Sequence, residues 1–223
     1  MVIENLMNLL QICDSGFPTG GFSHSSGLEA ALKTKNVYNV ESLKQFLLCF
    51  LENTGSFSLP FVREAYELYK NSCSLYDLDK LCESCMSNHV AKRASTRQGR
   101  SMMDTSIKVF SKTSRLEHLY QSLPYKHFPV IFGIICAFLD LDIQAVCAAF
   151  LYSGVRTVIA SAVRLDKVGP IQAQNIQADL QLVIPKVIER YKHYESKDAC
   201  MIYPHIDIIQ NLHDTMFTKL FYS

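Results

Sequence analysis

Neither sign of charge dominates this chain of 223 residues, in which 22 Lys and Arg stand against 21 Asp and Glu. A net charge of +1 excludes a global nucleic-acid-binding character, so any basic surface must be local. Long apolar runs are also missing: the longest, Val130 to Leu139, is too short to span a bilayer and is followed by Asp140 and Asp142. The opening residues, Met1-Val2-Ile3-Glu4-Asn5, lack a basic n-region and lead to no small-residue cleavage site. The expectation is a soluble cytoplasmic protein with neither membrane nor nucleic acid as partner.

Paired metal-binding cysteines are scarce too. Cys82-Glu83-Ser84-Cys85 is the one CxxC among eight cysteines, and only His89 follows it closely. Leu75, Leu78, Leu81, Cys82, Cys85 and Met86 recur at helical spacing, so these thiols read as small apolar core groups in a reducing compartment. No lasting metal ligand is expected. His118 and His127 have no recognised ligand spacing, and most of the seven histidines read as surface or capping groups. No stretch alternates apolar and polar residues, and no repeat is present. The fold class is therefore all-α, a single helical-bundle domain of about nine or ten helices.

Those helices can be followed along the chain. A short amphipathic segment near Glu4 to Ile12 is followed by a helix from Ser25 to Lys33, capped by Ser23 or Ser25 with Glu29 in its first turns. Asn39 caps the next, in which Val40, Leu43, Phe46, Leu47, Phe50 and Leu51 follow the three-four pattern until Asn53-Thr54-Gly55-Ser56 ends it. Phe57 to Lys70 tolerates Pro60 in its first turn. From Asn88 to Phe110 five cations accumulate, with Lys92, Arg93, Arg97 and Arg100 on one side; this is either a solvated face or a patch for an acidic partner. Val130 to Leu165 is apolar nearly all round and reads as a buried central hairpin joined near Asp140. Val168-Gly169-Pro170 stops and restarts the chain, and Pro185 should kink or break the helix it falls in. After a core of residues 1–195, residues 196–223 form a tail whose Ile206, Ile208, Ile209, Leu212, Met216, Leu220 and Phe221 need a surface to cover them.

One stretch stands apart from this helical pattern. Residues 14–29, Asp14-Ser15-Gly16-Phe17-Pro18-Thr19-Gly20-Gly21-Phe22-Ser23-His24-Ser25-Ser26-Gly27-Leu28-Glu29, hold four of the nine glycines, two phenylalanines and a histidine. It is a shaped loop leading into a helix, and its aromatics call for something to pack on it. Ser23 beside His24 makes a poor nucleophile and base pair, because neighbours point apart, and the stretch is not G-x-S-x-G. A phosphate cradle would end in Gly-Lys-Ser or Gly-Lys-Thr, whereas Gly27 precedes Leu28 and Glu29. The residues themselves point to an interaction protein. A general adaptor, or a serine hydrolase using Ser23 and His24, stays open at this level.

The same sixteen residues resemble the N-terminal signature of the urease accessory protein UreF family. The resemblance runs on through Arg93-Ala94-Ser95, Gln98-Gly99-Arg100, His127-Phe128-Pro129-Val130-Ile131-Phe132-Gly133 and Ser161-Ala162-Val163-Arg164-Leu165, with Gln172, His213 and the closing Leu220-Phe221-Tyr222-Ser223. It departs at Lys219, where the family usually has arginine. The resemblance implies an all-helical, non-catalytic homodimer that docks on UreD (also called UreH) and recruits the GTPase UreG to deliver nickel to apo-urease. Nickel would be handled in that complex and GTP bound by UreG, with no cofactor held stably by this chain. Phe17, Pro18, Phe22, Ser23, His24, Glu29, Arg93, Arg97 and Arg100 become candidate partner contacts, joined by His213, Met216, Lys219, Leu220, Phe221 and Ser223 from the tail. Asp14, Gly20, Gly21, Gly27, Gly133 and Arg164 would be structural. Most of the docking energy is expected from the tail.

Overall fold

The computed structural model describes residues 2–223, so Met1 of the expected core lies outside them. They form helices throughout, with no strand among the described residues. Twelve α-helical segments follow in order: α1 Ile3–Cys13, α2 Leu28–Lys33, α3 Val40–Asn53, α4 Leu59–Lys70, α5 Tyr76–Cys85, α6 His89–Val109, α7 Ser114–Ser122, α8 Phe128–Phe138, α9 Ile143–Arg164, α10 Pro170–Gln181, α11 Ile184–Tyr191 and α12 Pro204–Asn211. They amount to ten rods among the described residues. A turn of π-helix, Thr54–Ser58, joins α3 to α4 without a break, and α10 runs into α11 through Leu182 and Val183.

Local chemistry explains most of the boundaries. Asn39 and Ser42 form a reciprocal capping box at α3, Asn88 accepts the amides of Val90 and Ala91 at α6, and Asp142 caps α9. Pro185 falls in the first turn of α11, where its missing N–H costs nothing, so the interruption expected there is a kink at Leu182 and Val183, just ahead of it. The helix expected from Ser25 instead begins at Leu28, because Gly27 takes the left-handed conformation (φ 87°) that a regular helix cannot contain. Nor does Gly55 end α3. It lies in the π-turn facing α11, where a side chain would collide with Val187 and Tyr191, so glycine there permits close approach.

α8 is the buried centre, with every residue from Pro129 to Ala137 shielded from solvent. It packs chiefly on α4 and α6, and Gly133 sits against α4, where any side chain would strike the Val62 carbonyl. α8 touches α9 through Phe128, Phe132 and Phe150, with ring centroids 5.6 and 5.1 Å apart. The expected hairpin is therefore two core helices with different main neighbours. By length and composition α9 is, among the described residues, the one helix able to cross a membrane, but 56% of its apolar window is buried inside this body. Residues 196–223 are bound along the body: the Asn53 side chain pairs with the Tyr203 main chain at 2.9 and 2.8 Å, Ser56 donates to the Cys200 carbonyl, and Asn88 donates to Asp207.

Candidate functional site

The loop between α1 and α2 is held from both sides. Phe17 is buried and stacks on Phe110, 6.4 Å between centroids, while Ser101 of α6 donates to the Pro18 carbonyl at 2.6 Å. Gly20 has positive φ, and Gly21, Phe22 and Ser23 close a single 3-10 turn. Asp14 accepts the Gly16 amide at 2.6 Å. The loop walls a cavity of about 680 Å³ that Phe132, Phe150 and Arg156 line from the core, with His24 and Ser223 at its edge.

What packs on the loop is the chain's own tail. The Tyr222 amide donates to the Ser23 carbonyl at 2.8 Å, and the main-chain oxygen of Ser223 accepts from the Ser25 amide and hydroxyl at 2.6 and 2.8 Å. His24 Nδ1 and Ser223 Oγ are 2.7 Å apart. The Glu29 carboxylate, 3% exposed, accepts the amides of Leu220 and Phe221 at 2.8 and 3.1 Å. Arg164, at the end of α9, places its guanidinium 3.6 Å from the Phe22 ring centre and 4.3 Å from that of Phe221, and donates to the Phe22 carbonyl. Each such cation–π contact contributes about 1 kcal/mol. Lys33 binds the Thr218 carbonyl, and Lys219 donates to the Asp214 carbonyl at 3.1 Å, which needs no planar fork.

The basic face of α6 has divided duties. Arg93 grips Asp214 with both terminal nitrogens, at 3.1 and 2.7 Å, and His89 reaches the same carboxylate at 2.9 Å; these bonds hold the Asp214 carboxyl well below its usual range. Arg97 is exposed and lies 5.9 Å from the Tyr222 ring centre, and Arg100 is exposed. Four of the seven histidines, His89, His118, His193 and His205, are exposed, as expected of most of them, and His24, His127 and His213 are buried at 5%, 0% and 1% exposure, His127 at the N-cap of α8. Burial, with Arg97, His213 and Arg93 nearby, lowers the His24 pKa to about 4. Burial and Lys219 also lower that of His213, against the pull of Glu29 and Asp214.

Sequence reasoning missed Asp79. It is fully buried, and its carboxylate accepts the amides of Tyr125, Lys126 and His127 at 2.8, 2.9 and 3.0 Å, clamping the approach to α8. An acid inside the apolar stripe of α5, between Leu78 and Cys82, was the available signal. Cys82 is buried and Cys85 exposed, and no group of three or more metal-binding side chains occurs among the described residues.

As folded, the candidate contact residues sort into two sets. Phe17, Glu29, His24, His213, Phe221 and Ser223 are buried and bonded or packed within the chain, and Met216 is half-buried against the core. Pro18, Phe22, Arg97, Arg100, Lys219 and Leu220 face solvent, together with Tyr222 and Phe217, which were not singled out. Ser23 uses its carbonyl on the tail. His24 and Ser223 form a close buried pair, and the Glu29 carboxylate beside them is occupied by the tail amides.

The family model described as UreF matches residues 37–181. Over 224 residues the chain is 34% identical to urease accessory protein F of Oryza sativa subsp. indica, covering 98% of this chain and 85% of that protein. It is 33% identical to urease accessory protein F of Arabidopsis thaliana over 219 residues, 96% of this chain and 90% of that one. It is 24% identical to urease accessory protein UreF of Bacillus sp. (strain TB-90) over 228 residues, 99% of this chain and 100% of that one. These alignments take in the loop and the tail as well as the core.

Proposed function

The chain belongs to the UreF family of urease accessory proteins, and from that membership we propose that it is a non-catalytic scaffold for nickel delivery to apo-urease in the cytoplasm. Its family places it in urease maturation. In this reading it works as a homodimer, docks on UreD (UreH) and recruits the GTPase UreG. GTP stays on UreG, and nickel passes through the complex as cargo.

One observation carries the reading to particular residues. The loop clasps the inward half of the tail, Phe221 and Ser223, and leaves the outward half with Phe22 as an apolar rim: Phe217 is 102% exposed, Tyr222 65%, Phe22 64% and Leu220 57%. Exposed aromatic side chains are what tight interfaces bury at their centre. The tail thus contributes to docking as a folded surface, with its buried half fixed by the loop. Arg97 stands beside the rim and suits an acidic edge on the partner.

Pull-down by immobilised UreD tests this. Tyr222→Ser with Phe217→Ser should weaken binding about tenfold or more while the helical signal stays unchanged. Unchanged binding by that variant would remove the rim from the docking surface. Survival of binding after deletion of Met216 to Ser223 would remove the whole tail.

A further inference from the structure

Two of the groups that close the clasp are largely buried imidazoles, His24 and His213, 5% and 1% exposed. His24 touches the tail directly, Nδ1 to Ser223 Oγ at 2.7 Å. His213 has no hydrogen-bond partner on either ring nitrogen. Its nearest acids are Glu29, 3.7 Å away, and Asp214, 3.9 Å away. Both are committed elsewhere, Glu29 to the amides of Leu220 and Phe221 and Asp214 to Arg93 and His89. The remaining charged side chains around the pair are cations: Arg93 and Arg97 from α6, Lys219 from the tail, and Lys33 of α2, 3.8 Å from Glu29; the main-chain carboxylate of Ser223 beside His24 is held by the Ser25 amide and hydroxyl.

We propose that the clasp is a proton-operated latch, in which protonating His24 and His213 and releasing residues 220–223 from the loop are one coupled event. A proton on either ring while the latch is closed puts a positive charge in a buried site beside cations, where the only acceptors not shared with other donors are neutral: Ser223 Oγ for His24 and the Phe221 main chain for His213. With the tail released both rings meet water and accept a proton normally. At His213 the two acids pull the other way, but burial and Lys219 outweigh them.

The sign follows from linkage. His24 titrates near 6.5 when free and about 4 in the closed clasp, so the open form binds more protons. The closed latch is therefore at full strength above about pH 6.5, weakens as pH falls, and reaches its floor near pH 4. His24 alone raises the open population about tenfold between pH 7.5 and 5.5, and His213 adds in the same direction. The latch is a property of the free chain, so it stands or falls separately from docking on UreD.

Amide hydrogen exchange on the full-length chain without partners tests it, from pH 7.5 to 5.0, with intrinsic rates corrected by an unstructured peptide. Protection of the Leu220, Phe221 and Tyr222 amides should fall about tenfold by pH 5.5 while α9 stays protected. The double variant His24→Asn with His213→Leu removes both titrating rings, and in it that fall should vanish. His24→Asn alone, should the double variant fail to fold, should shrink the fall. Flat protection in the unmodified chain would overturn the proposal. So would an unchanged pH slope in the variants, or a parallel loss in α9, which would mean global unfolding.

Discussion

Glutamine in place of Glu29 keeps the shape of the side chain and removes the charge that binds the tail. The two Glu29 oxygens accept the amides of Leu220 and Phe221 at 2.8 and 3.1 Å in a site 3% exposed to solvent. Hydrogen bonds to a charged acceptor contribute about 1.5–3 kcal/mol each, and a buried donor left unpaired costs about 1–3 kcal/mol. Glutamine keeps one acceptor, now neutral, and turns an NH2 toward the other amide. The closed clasp should lose about 2–3 kcal/mol, or roughly 30- to 150-fold in its closed-to-open ratio. Hydrogen exchange at pH 7.5 should show that loss at the Leu220, Phe221 and Tyr222 amides, with α9 much less affected because a tail opens locally. Unchanged protection at Leu220 and Phe221 would refute the role given to Glu29. A loss shared equally by α9 would show that the clasp does not open as a unit of its own.

Other parts of the molecule make independent predictions. Asp79→Asn should destabilise the chain by about 3 kcal/mol in urea denaturation, because three amides ahead of α8 share one buried carboxylate. Gly55→Ala should cost about 1–3 kcal/mol in the same assay, since the added methyl collides with Val187 and Tyr191 across the π-turn. Cys85→Ser, at an exposed thiol, should leave the urea midpoint within about 0.5 kcal/mol of the parent, as expected of a CxxC that staples nothing.

What was legible in the sequence was local. The all-helical class followed from apolar spacing, the cap at Asn39 from its side chain, and the kink ahead of α11 from Pro185. The misreadings share a cause: local chemistry was overridden by a distant partner. Ser25 does cap the start of α2, its hydroxyl accepting the Glu29 amide at 3.3 Å, but the same hydroxyl also donates to Ser223, 198 residues away. Gly55 looks like a stop, yet it is a point of contact with α11. Asp79 is an ordinary acid in the sequence and becomes a clamp only once residues 125–127 fold over it. The loop at residues 14–29 was legible as a platform awaiting an occupant. That the occupant is the chain's own tail depends on contacts that no periodicity encodes, and so does the division of that tail into a buried and a presented half.

The central claim is that the loop and tail together present a surface needed for urease maturation. Its most direct measurement is urease activity after co-expression of apo-urease, UreD and UreG with nickel, comparing three cultures: without this chain, with it, and with its Tyr222→Ser, Phe217→Ser variant. The account predicts activity only with the unmodified chain, and with the variant a drop to near the level seen without it. Full activation in the absence of the chain would contradict the maturation role, and full activation by a correctly folded variant would contradict the surface assigned to it.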